Sequence, residues 1–158
     1  MDFLIAHIIH LVFTVVWIGG LAFITINVFP ALIRTPDPLE KAIQFQRIEH
    51  KFAPMAKWYS MIVGLSGFYM MFKNGWEAML FTKAGFPLTF MLVMWIFWTV
   101  LLWGLEPLVI KKMLERMKNN DPDLNIDKIF IGMNRMHWVL LALSLVTVVM
   151  GALVSHGA

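Results

Sequence analysis

The sequence predicts an all-α fold: a bundle of four transmembrane helices with both termini outside and two long cytoplasmic loops. Three observations carry that prediction. The 158 residues are 59% hydrophobic and only 15% charged, against about a quarter charged in soluble domains, and the mean hydropathy is +0.73. The apolar residues fall into runs long enough to cross a bilayer, which takes about 20 residues of helix. The basic residues lie almost entirely in two of the connections between those runs. The length suits one integral membrane domain over residues 1–158.

The first span is expected at about 3–33, uncharged from Phe3 to Ile33. It is longer than a bilayer requires, so it tilts or projects. The start, Met1–Asp2, lacks the basic region of a signal peptide, so this run reads as a retained span. Asp37, Pro38 and Glu40 then read as a helix start, with Asp37 as N-cap, Pro38 in the first turn and Glu40 closing a capping box. An interfacial helix follows at about 38–53, with Phe45, Ile48 and Phe52 on one face. Pro54 should kink its junction with a second span at about 55–72. In that span Ser60, Gly64 and Gly67 invite close approach by a neighbour. The third span is expected at about 84–105, rich in Trp and Phe and ending at Glu106–Pro107. The fourth is expected at about 136–154, followed by Ser155 and His156.

Charge sets the orientation. Arg34, Lys41, Arg47, Lys51 and Lys57 follow the first span. Lys111, Lys112, Arg116, Lys118, Lys128 and Arg135 follow the third. Only Lys73 and Lys83 lie on the other side, so the long loops are expected inside and the termini outside. That fits the inner membrane of a bacterium. The basic residues border apolar runs and form no separate patch, so the lipid bilayer is the expected partner and nucleic acid is not. A dimer would suit such a bundle.

With no cysteine in the chain, thiolate metal sites and thiol nucleophiles are excluded. No glycine-rich phosphate loop and no acidic pair deep in a span are present. Histidine is what remains, and ionisable groups inside a membrane are functional candidates by default. Helical rise puts His10 about 12 Å outward of the middle of the first span, and His137 about 13 Å inward of the middle of the fourth. His10 and His137 therefore cannot share a ligand. His7, His10 and His156 form an outer group, and His50 and His137 an inner one. His10, Thr14 and Trp17 share a stripe, and so do His137, Ser144, Gly151 and Ser155. His50 lies nearly opposite the Phe45–Ile48–Phe52 face and better suits a solvated position. His156 equally suits a frayed terminus.

Neutral imidazole in an aromatic helix bundle suits haem iron, copper or zinc. The expected function is that of a membrane haem b protein carrying electrons across the bilayer, with a quinone or a small redox protein as partner. Its one or two haems would be held by His10 with His156 or His7, and by His137 with His50, with Trp17 among the candidate pocket walls. Any catalysis would be that of a cytochrome b-type oxidoreductase. The competing reading is an outer copper site built on His7, His10 and His156.

His10, then Trp17–Ile18–Gly19–Gly20–Leu21, with Pro30 near the helix end, resembles the first helix of CopD-like membrane proteins and of HemJ-type protoporphyrinogen oxidases. Gly64–Leu65–Ser66–Gly67 resembles, more weakly, the glycine-containing turn of their second helix. The resemblance implies haem b binding with His10 as the functional histidine. It also implies two alternatives, copper handling of the CopD type and porphyrinogen oxidation of the HemJ type. HemJ-type proteins pair this histidine with a lysine near the third helix, for which Lys83 is the nearest position here.

Overall fold

The computed structural model describes residues 1–105, 107–108, 111–112, 115–116, 119 and 125–155. Every regular element among them is a helix. Helix α1 (Asp2–Phe23), a π-helical turn (Ile24–Val28) and α2 (Phe29–Arg34) run on as one helix of 33 residues. Helix α3 (Pro38–Lys73) follows after a tight turn. Helix α4 (Phe86–Val100) continues into a second π-helical turn (Leu101–Leu105), and α5 (Ile126–Ser155) closes the described chain. Among the described residues three helices are long and apolar enough to cross a membrane: Asp2–Arg34, Phe86–Leu105 and Ile126–Ser155.

The start of α3 is set locally. The Asp37 carboxylate accepts from the backbone N–H groups of Leu39 and Glu40, both at 3.2 Å, and Pro38 occupies the first turn where no N–H is needed. Glu40 turns to Gln44, accepting from its Nε2 at 3.0 Å, rather than back towards the cap. The far end stops at Asn74, where Gly75 takes the left-handed conformation (φ 67°) that a side chain would resist.

The sequence expectation places an interfacial helix at 38–53 and a span at 55–72 with a kink at Pro54 between them; the structure joins the two stretches in one helix. Helix α3 is continuous through Pro54. The proline is exposed, while Ala53 and Ala56 beside it are buried. The same partner grips α3 on both sides of the proline, and that packing carries the helix across the one missing N–H. That partner is the first helix, antiparallel along its whole length. His10 meets Val63, Gly20 meets Phe52, and the Phe29 and Phe45 rings lie 6.2 Å apart. The fourth helix also starts earlier than expected, at Ile126, because Ile126, Ile129 and Phe130 find apolar partners below the expected span.

Two cores result. One gathers Trp17, Leu21, Val63, Met94, Trp98 and Leu140 from four helices. The other, on the side of the long loops, gathers Ile24, Phe29, Leu32, Phe45 and Phe130. Beside it the nearly sealed Lys41 ammonium pairs with the Asp127 carboxylate. The small residues of α3 each receive a ring. A Cβ on Gly64 would lie 2.2 Å from Trp95 Nε1, which donates to the Ser60 carbonyl at 3.0 Å, and a Cβ on Gly67 would lie 3.3 Å from His10 Cε1. The first helix and α3 are about 50 Å long and α4 with its turn about 30 Å, so only α4 matches the hydrocarbon thickness of about 30 Å.

Candidate functional site

The register of the first helix against α3 builds the site at His10. The ring is half-buried, with Nδ1 2.9 Å from the Val63 carbonyl oxygen and 3.2 Å from Ser66 Oγ. A carbonyl can only accept, so Nδ1 carries the proton. Ser66 sends its own proton to the backbone, with its Oγ 2.7 Å from the Ile62 oxygen and 3.0 Å from that of Val63, so it too accepts from the imidazole. Nε2 is left as a bare lone pair, the tautomer a metal-ligating histidine adopts. Gly67 supplies the flat surface under the ring.

One turn further in, Thr14 Oγ1 is buried with no hydrogen-bond partner among the described residues. Such an atom calls for a partner that the described residues do not provide. One turn further out, His7 is half-buried beside the Phe3 ring at 5.9 Å, and Phe3 leans edge-on to Trp76. His7, His10 and Thr14 thus form a polar track entering from the N-terminal end of the first helix. Trp17 closes it, buried edge-on against Trp98 with centroids 5.2 Å apart.

His137 repeats part of the pattern. Its Nδ1 lies 2.9 Å from the Met133 carbonyl, and its ring sits 4.4 Å from that of Phe29. Asn134 Oδ1, one turn away, is buried and unpartnered among the described residues. His50 does not join it: it is exposed, on the face of α3 turned from Phe45 and Phe52. Phe29 lies about 28 Å along the first helix from His10, so the two half-buried histidines His10 and His137 are separate sites. His156 lies outside the described residues. Among the described residues no three His, Asp or Glu side chains converge as a metal site, so the outer copper triad turns on His156.

A haem iron asks for a neutral imidazole, an apolar aromatic surround and satisfied outer hydrogen bonds. His10 with Val63, Ser66 and the orphaned Thr14 hydroxyl fits that donor set. His137 offers the same nitrogen, but His50 is not placed to oppose it. Residue typing alone did not single out Ser66 or the Val63 carbonyl. The signal for them was the Gly64–Leu65–Ser66–Gly67 stretch, which becomes a partner of His10 once α3 is paired with the first helix.

Among the described residues outside the spans, Glu49 departs from its ordinary range. Burial pushes the Glu49 carboxyl up, with Lys57 and His50 pulling the other way. A raised carboxyl favours the protonated fold, so its contribution is present below the ordinary Glu value of about 4.3 and is lost as pH rises through the raised value. Glu49→Gln is therefore expected to stabilise the protein at neutral pH, and the gain should vanish in acid. Denaturation midpoints in detergent across pH check this, and a gain that is constant with pH would refute it.

Compared with known protein families, curated proteins and solved structures, the chain matches none.

Proposed function

We propose that this chain is a four-span haem b protein of a bacterial cytoplasmic membrane. In this reading α3 carries the second span at about 55–72, both termini are outside, the long loops are inside, and electrons pass to or from a quinone or a small redox protein. The observation that carries the reading is the His10 imidazole, its Nδ1–H committed to Val63 and Ser66 and its Nε2 left to ligate. The buried, unpartnered Thr14 hydroxyl beside it supports the same reading, as does the confinement of all basic residues but Lys73 and Lys83 to one side.

In this reading His10 would hold the iron from the first helix, with His156 as the candidate second nitrogen; His7, three residues away on the same helix, cannot reach the opposite face of the same haem. The haem supplies reversible one-electron chemistry at iron. The chain's part is to fix the ligand tautomer through Val63 and Ser66, to seal the inner end of the track with Trp17 and Trp98, and to keep water from the ligand. The test is the visible spectrum of protein purified in detergent, oxidised and reduced. A Soret band with sharp reduced α and β bands is expected. A colourless protein that binds copper stoichiometrically would replace haem with the outer copper reading.

A further inference from the structure

Among the described residues Phe81 is the one residue other than glycine with a positive φ, at 62°. L residues other than Asn and Asp seldom take that conformation, and a bulky ring there asks for a reason. The ring is 80% exposed, so nothing inside the chain rewards it. The backbone around it is nonetheless held firmly. The Phe81 N–H donates to Thr89 Oγ1 at 2.9 Å. The Thr82 hydroxyl donates to the Met79 carbonyl at 2.6 Å and accepts from the Gly85 N–H at 3.0 Å. A Cβ on Gly85 would strike the Met79 carbonyl, so the loop closes tightly on itself. An exposed ring is thus fixed in place against the preference of its own backbone.

The position of the loop says what the ring meets. Helix α4 with its π-helical turn, Phe86–Leu105, matches the hydrocarbon in length, so Phe86 lies at one edge of it. Phe86, Val93 and Val100 share a stripe of α4 and are 56%, 54% and 55% exposed, which marks the face turned from the bundle to lipid. Thr89 stands on that face one turn in from Phe86. The bond to Thr89 therefore draws Phe81 back along the lipid-facing side of the first turn of α4, and not over the end of the bundle. Met79 and Phe86, on either side in the sequence, are exposed as well, and the charges of the loop stand apart at Glu77 and Lys83.

We propose that the Met79–Gly85 loop is a membrane wedge, with the Phe81 ring set into the leaflet at the α3–α4 end of the bundle. Aromatic rings favour the boundary between headgroups and hydrocarbon, and burial there offsets the strained backbone. Lipid is favoured over a protein partner because the ring lies against a face of α4 that lipid already covers. The loop follows Trp76, whose ring meets Phe3 beside His7, so the wedge also pins the mouth of the His10 track to the membrane surface. The proposal needs α4 to cross the bilayer and is independent of haem.

The chain has no cysteine, so single nitroxide labels test it on full-length protein in phosphatidylcholine nanodiscs. A label on Phe81→Cys should collide with oxygen more than with a water-soluble nickel chelate, as one on Val93→Cys should, while one on Glu77→Cys should show the reverse. A label at position 81 open to the nickel chelate would overturn the proposal. So would one shielded from both reagents, which would put protein in the place of lipid. Hydroxyl-radical footprinting of the unsubstituted chain covers the case in which Phe81→Cys does not fold. The Phe81 ring should escape oxidation in nanodiscs, and oxidation there as fast as in the unfolded chain would refute the wedge.

Discussion

His10→Ala protein is expected to purify without the Soret band, while His50→Ala protein keeps it in full. The contrast follows from placement. His10 presents one ring nitrogen to α3 and holds the other free, whereas His50 is exposed on the face of α3 turned from Phe45 and Phe52. Ser66→Ala should fall between them. It removes one acceptor from Nδ1–H but leaves the Val63 carbonyl, so haem affinity should drop by about tenfold, the lower end for losing an outer partner of a ligating histidine. Haem content per protein, read by absorbance and by a pyridine adduct, gives all three values. A His10→Ala protein with undiminished haem would end the assignment of His10 as ligand.

The second large effect concerns Lys41 and Asp127, and the order of their costs is the informative part. Lys41 is 2% exposed and Asp127 65% exposed. The ammonium also lies 6.0 Å from the Phe130 ring centre, inside the second core. Asp127→Ala strands that ammonium where water barely reaches, at a cost of about 3 kcal/mol. A further share of about 0.5 kcal/mol comes from losing a carboxylate in the first turn of α5. Lys41→Met keeps the stem that fills the space and leaves Asp127 to water, so it should cost less than about 1.5 kcal/mol. Denaturant or thermal midpoints in detergent decide the order. If Lys41→Met proves the more damaging change, the pair is held by attraction rather than by the need to neutralise a buried cation.

The helices were largely legible in the sequence because bilayer-length apolar runs and flanking charge are strong signals. The start of α3 was legible residue by residue, since Asp37 and Pro38 act locally. Less legible was the stretch around Pro54. Proline removes one N–H, and read alone that marks a junction between two elements. The packing either side of it, with Ala53 and Ala56 buried, carries one helix through the position. Taking 38–53 as a separate element hid the hairpin register, and with it the pairing of His10 with Val63 and Ser66. The stripe of His10, Thr14 and Trp17 was visible from spacing. That the Thr14 hydroxyl goes unpartnered was not, because it depends on what the neighbouring helices fail to offer.

The full-length pairing of the first helix with α3 also bears on how the chain enters a membrane. Helix α3 is not among the helices apolar enough to cross by themselves. The Val63 and Ser66 groups on its flank meet their partner on the first helix, and the Ser60 carbonyl meets its partner on α4. On the proposed topology, α3 leaves the translocon as the second leg of a preassembled hairpin, with the first helix as its solvent. A fragment ending near Gly75 should insert both legs, whereas α3 presented behind an unrelated hydrophilic leader should remain outside the lipid. Glycosylation mapping distinguishes the two, and autonomous insertion of α3 would refute the hairpin route. Membrane entry of the second helix is in this sense templated: the residues that position the imidazole of His10 are also those that need the first helix in order to leave water.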